Sequence, residues 1–194
     1  MLIKDNVKDN NEEERVRCFI ALDLPREIIK EVERVQHEIE KKNIFYGKFT
    51  ESENLHLTLK FLGEISHNKV DDVKEKLKEI EHEGFKAKLN GIGVFSPKFV
   101  KIVWMKILGK GVFSLQEEID NKMNEIGFEK ENRFMSHLTI ARVKNVKDKK
   151  MFLQELDKIK SREIGFDVNG FYLIKSVLKA DGPEYEVLES FDML

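Results

Sequence analysis

His56-Leu57-Thr58-Leu59 returns 81 residues later as His137-Leu138-Thr139-Ile140. Each copy lies in an apolar run of strand type. Successive side chains of an extended chain alternate between faces, so each histidine shares a face with its threonine, and the apolar residues point the other way. A titratable ring and a hydroxyl are offered twice, each time from a rigid element.

The flanking sequence repeats as well. Residues 16–24 read as a strand ended by Pro25, and Ile28, Ile29, Val32, Val35 and Ile39 then keep helical spacing to about Lys42. A loop through Gly47 leads to a strand over Leu55–Leu62, closed by Gly63 and carrying the first motif. Val70, Val73, Leu77 and Ile80 mark a helix stopped by Gly84, and Phe85–Phe95 is a strand. The order restarts with a strand over Val100–Leu108, a helix over Val112–Ile126 and the second motif strand over Phe134–Val143. A helix through Phe152 and Leu156 follows, then strand material over Ile164–Ile174 and a last strand near Tyr185–Phe191. This predicts an α+β fold with an internal duplication, the repeats covering about 16–95 and 100–176. Two pseudo-symmetric lobes, each a mostly antiparallel sheet with flanking helices, would face each other across an active-site cleft. One domain spans 15–194, after a polar, disordered extension over 1–14.

Composition narrows the function. The 194 residues are 41% hydrophobic and 36% charged, which suits a soluble globular chain with a sizeable core. A formal net charge of −2 excludes bulk polyanion binding, so any nucleic-acid contact needs a local basic patch. The single cysteine, Cys18, sits in an apolar run and reads as a core residue in a chain suited to a reducing, cytoplasmic compartment. No apolar stretch approaches the about 18 residues of a membrane span, and no signal peptide is evident.

Two histidines suit phosphoryl chemistry. Imidazole titrates near pH ~6.5, so one ring can take a proton from an attacking oxygen while the other gives one to the leaving oxygen. In-line displacement at phosphorus places those oxygens on opposite sides, where two facing rings would serve without a metal. A zinc site would need a third ligand, and His37, His67 and His82 read as surface residues. No cofactor is expected. Thr58 and Thr139 would donate to nonbridging phosphate oxygens. Arg142 would supply a forked positive contact, although strict alternation puts it on the apolar face unless the strand bulges first. Lys60 is in phase with His56 and Thr58 and would face the cleft. Phe45, Tyr46, Phe49, Phe95, Phe99, Trp104 and Phe134 are candidates to stack on a base. Arg133, Lys144 and Lys147 offer a sparse basic rim, and no longer one is evident.

Glu53-Asn54-Leu55-His56-Leu57-Thr58-Leu59-Lys60-Phe61-Leu62-Gly63 resembles the first signature of the two-histidine (2H) phosphoesterases, in their RNA 2′,3′-cyclic phosphodiesterase (2′-5′ RNA ligase, LigT-like) branch. Ser136-His137-Leu138-Thr139-Ile140-Ala141-Arg142 resembles the second, and the opening Arg17–Pro25 and closing Gly182–Tyr185 segments are similar to that branch too. Ser52 and Phe49 stand where proline and tryptophan are frequent, and Ser136 stands where a proline often precedes the second histidine. The resemblance implies metal-independent hydrolysis of a terminal 2′,3′-cyclic phosphate on RNA to a 2′-phosphomonoester, with reversible 2′-5′ joining of tRNA halves in vitro. It makes His56 the proton donor and His137 the acceptor. The implied partner is RNA with cyclic-phosphate ends, with no membrane, for a monomeric protein. Turnover of a small cyclic nucleotide, and an inactive RNA-end-binding module, remain alternatives.

Overall fold

The computed structural model describes residues 14–180 and 182–194. Except for Glu14, the expected extension over 1–14 lies outside the described residues. The architecture is α+β, and all strand pairs are antiparallel. In chain order the elements are β1 (Arg15–Leu22), α1 (Arg26–Lys42), β2 (Phe45–Phe49), β3 (Leu57–Ser66), α2 (His67–Lys78) and β4 (Phe85–Val94). Then come β5 (Ile102–Leu108), α3 (Lys110–Glu125), β6 (His137–Val146), α4 (Lys149–Lys158), β7 (Ile164–Val168), β8 (Gly170–Lys179) and β9 (Gly182–Asp192).

Local chemistry sets the helix limits. Ile28, Val32, Val35 and Ile39 bury one face of α1, and Asn43 ends it in the left-handed conformation at φ 47°. The Ser66 hydroxyl accepts from the Lys69 N–H at the start of α2, and the Asp148 carboxylate accepts from the Met151 N–H at the start of α4. Among the described residues no helix is long and apolar enough to cross a membrane.

The strands form two sheets, ordered β3-β1-β8-β9 and β2-β6-β5-β4-β7. Neither sheet follows one half of the sequence. β2 and β4, from the first 95 residues, lie in the sheet of the second motif, while β8 and β9 complete the sheet of the first. A large apolar core runs through both lobes, with Cys18 inside it at 1% exposure, and a small separate cluster gathers Phe19, Ala21 and Ile174 with Tyr172 and Tyr185 against them.

Three strand expectations need correction. The Gly47 segment is an edge strand rather than a loop, because Gly47 lets β2 approach β6: a Cβ there would sit 2.1 Å from the Arg142 carbonyl oxygen. β3 continues past Gly63, whose positive φ of 74° accommodates a register shift instead of ending the strand. The apolar stretch over Ile164–Ile174 divides into β7, at the edge of one sheet, and β8, in the other.

Candidate active site

His56 and His137 stand at the entrances of β3 and β6 and line one cleft of about 830 Å³. Their anchors are the same. Nδ1 of His56 donates to the Asn54 carbonyl at 2.9 Å, and Nδ1 of His137 donates to the Met135 carbonyl at 2.8 Å. A carbonyl can only accept, so each Nδ1 carries a proton and each Nε2 remains to gain or lose one.

Their surroundings differ. The Phe19 ring lies 4.7 Å from that of His56, and Tyr185 meets His56 edge-on at 5.1 Å. Burial pushes His56 down from 6.5 to about 4. The Asn54 carbonyl and Asp23 oppose that shift, while the positive charges of Arg142 and His137 add to it. His137 meets Phe95 edge-on at 4.7 Å.

Thr58 and Thr139 line the same cleft, and so does Arg142. A bulge explains the arginine. Across the β5–β6 ladder Val103 faces Ala141 and Trp104 faces Thr139, so Ile140 has no opposite number. Ile140 and Ala141 are therefore both buried, and alternation restarts with Arg142 exposed. β3 does the same at the equivalent residue: Ile20 faces Lys60 and Ala21 faces Thr58, leaving Leu59 unmatched.

The first bulge overturns the expectation for Lys60. It turns inward, is 2% exposed, and donates to the Asp120 carboxylate and, at 2.8 Å, to the Glu129 carbonyl. Asp120 also accepts from the Glu131 N–H at 3.0 Å. Phe61 takes the cleft position instead, 68% exposed and equivalent to Arg142.

The cleft is basic. Arg17, Lys48, Arg142, Lys144 and Lys179 line it, against Glu51 as the one carboxylate among the described lining residues. Lys48 stands directly opposite Arg142 in the β2–β6 ladder, so two cations share a rung, with Glu51 2.6 Å from Lys48. Like charges so placed repel, and a bound anion would relieve them. Of the suggested rim residues, Lys144 lines the cleft, whereas Arg133 and Lys147 do not.

Of the aromatic candidates, Phe49 lines the cleft and Phe95 touches His137; Phe45, Tyr46, Phe99, Trp104 and Phe134 lie outside the lining. Phe61, Phe19 and Tyr185 were missed. The sequence did hold a signal for Phe61, which is 81 residues before Arg142. Tyr185 stood out only as part of the closing Gly182–Tyr185 resemblance, and its contact with His56 had no signal, because it reaches that ring from β9 through a sheet assembled across the chain.

The chain matches the model of the LigT like Phosphoesterase family twice, over residues 22–105 and 106–185, with one motif in each match. It is 34% identical over 178 residues to a Methanocaldococcus jannaschii protein named RNA 2′,3′-cyclic phosphodiesterase, covering 91% of this chain and 100% of that one. A Methanothermobacter thermautotrophicus protein of the same name is 31% identical over 182 residues, covering 91% and 98%. The crystal structure of TT0787 of Thermus thermophilus superposes with a TM-score of 0.76 at 26% identity, covering 91% of this chain and 97% of that one. Apo LigT of Escherichia coli shares the fold, with a TM-score of 0.74 at 22% identity and coverage of 93% and 98%. Duplicated match, fold and paired motifs agree: the chain belongs to the LigT-like phosphoesterases.

Proposed function

We propose that this protein is a metal-independent RNA 2′,3′-cyclic phosphodiesterase that opens a terminal 2′,3′-cyclic phosphate to a 2′-phosphomonoester. The observation that carries this reading is the pair of identically anchored histidines in one cleft, with Arg142 turned in beside them. The names of the relatives support the substrate class.

In the proposed reaction His137 Nε2 takes a proton from water as its oxygen attacks phosphorus. The bond from phosphorus to the 3′-oxygen breaks, and His56 Nε2 gives that oxygen its proton. Thr58 and Thr139 donate to the nonbridging oxygens, and Arg142 balances their charge. Each proton transfer is worth about 10²–10⁴ in rate. With the 5′-hydroxyl of a second RNA in place of water, the same displacement breaks the bond from phosphorus to the 3′-oxygen and leaves a 2′-5′ linkage, the reversible joining of tRNA halves expected in vitro.

A ring titrating near 4 is neutral in the free protein at pH 7. The donor role therefore requires His56 to gain its proton with the substrate. The phosphodiester brings a negative charge that offsets Arg142 and favours the imidazolium. His56 is charged only when there is an anion to act on.

The concentration of cations in the cleft of a chain with net charge −2 favours RNA over a small cyclic nucleotide. A monomer acting in the cytoplasm completes the proposal. The test is hydrolysis of an RNA oligomer ending in a 2′,3′-cyclic phosphate with excess chelator, comparing wild type with His56→Ala and His137→Ala. Turnover that survives chelation and is lost in both variants is expected. Full activity in either variant would sink the mechanism, and loss on chelation would require a metal. Faster turnover of a cyclic mononucleotide than of the oligomer would favour the small substrate. Tight binding without product would favour an end-binding module.

A further inference from the structure

The bulge at Ile140 decides which way Arg142 points, so whatever fixes the bulge governs the cleft. A bulge that slipped past Arg142 would return it to the apolar face, because a one-residue change of register reverses every side chain between the two positions. Against β5 the extra residue has no partner. It is held from the other side. The Ile140 carbonyl accepts from the Thr50 N–H at 3.0 Å and from Gln36 Nε2 at 2.9 Å, and Gln36 Nε2 also donates to the Thr50 carbonyl at 2.8 Å.

Gln36 lies on α1, in the first half of the sequence and 104 residues from Ile140. Its neighbours Val35 and Ile39 are fully buried, so the helix face carrying it is fixed against the core. An amide nitrogen has two hydrogens, and both are used here, one on the end of the β2 segment and one on the bulge. The other bulge is also held from outside its own half. Lys60, beside Leu59, is tied to Asp120 on α3. Each motif strand is thus pinned by a helix from the other half of the chain.

We infer that Gln36 is a positioning residue for phosphate binding, holding the bulge at Ile140 so that Arg142 enters the cleft with its guanidinium placed in advance. This rests on the proposed role of Arg142. Preorganised charge stabilises a developing phosphoryl transition state because no reorganisation is needed as the reaction proceeds.

The experiment is a double-mutant cycle with Gln36→Leu, Gln36→Met, Arg142→Ala and the combinations. It reads kcat/KM on a 2′,3′-cyclic mononucleotide and the inhibition constant of inorganic phosphate. Each Gln36 variant should lower kcat/KM about tenfold and weaken phosphate inhibition by a similar factor, with no further loss in the Arg142→Ala background. Circular dichroism and thermal melting check that the variants fold. Multiplicative losses, wild-type phosphate inhibition in both Gln36 variants, or failure of both to fold would overturn the inference and leave Gln36 a stability residue. If Arg142→Ala itself keeps full activity and phosphate affinity, the phosphate-holding role of Arg142 fails instead.

Discussion

Phe61 and Arg142 occupy the same position on the two motif strands, each five residues after its histidine and two after an unmatched bulge residue. One duplicated backbone event thereby gives the cleft an aromatic surface on one wall and a fixed cation on the other.

The two should divide the work. Phe61→Ala removes a stacking surface worth about 1–3 kcal/mol per base, so KM for a cyclic-phosphate oligomer should rise from about fivefold to a hundredfold while kcat stays near wild type. Arg142→Ala should lower kcat/KM about 10²–10³-fold, a loss of transition-state stabilisation. Steady-state kinetics on one oligomer decide both. A kcat effect dominating in Phe61→Ala would contradict the division.

The low proton affinity of His56 should be visible by nuclear magnetic resonance. In the free protein its ring should titrate near pH 4, because burial and the charges of Arg142 and His137 disfavour the imidazolium. Inorganic phosphate should move that midpoint upward, since an anion favours the charged ring. For stability the sign is opposite to that of a salt-bridged histidine: the unfolded ring binds its proton near 6.5, the folded ring only near 4. Conformational stability from this group should therefore be complete above pH 6.5 and decline toward pH 4. An unperturbed midpoint, or no response to phosphate, would remove the substrate-linked proton uptake from the mechanism.

Lys60 and Asp120 are a buried pair with side chains 2% and 9% exposed. Lys60→Met leaves the Asp120 carboxylate buried without its cation and should cost about 3–5 kcal/mol, whereas Lys60→Met with Asp120→Leu should recover much of that loss. Urea unfolding of the three proteins measures it. Equal stability of the single and double variants would show that the pair is not coupled.

The motif strands were legible because histidine, threonine and alternating apolar residues mark them within a few positions. The helices were legible for the same reason, their apolar residues recurring on one face. Arg142 was legible as a candidate cation, but the face it takes was not, because a bulge is a backbone event without a residue signature, and alternation counted through it gives the wrong face. Lys60 misled for the same reason, and its partner Asp120 is 60 residues away. β2 was hidden because Tyr46, Gly47 and Lys48 are exposed and need no apolar pattern on a sheet edge. Tyr185 reaches His56 only after β8 and β9 join a sheet begun by β1 and β3.

That shared construction of the sheets has a consequence for how the enzyme can be divided. Cutting the chain between β4 and β5 would leave the first fragment with β1 and β3 lacking β8, and with β2 and β4 lacking β6 and β5. Neither fragment could close its own core, so each should remain unfolded alone and become ordered only on mixing with the other. The spacing of the two histidines is therefore set by interlocked sheets rather than by one flexible linker. The two halves matched by the family model should therefore behave as a single obligate unit.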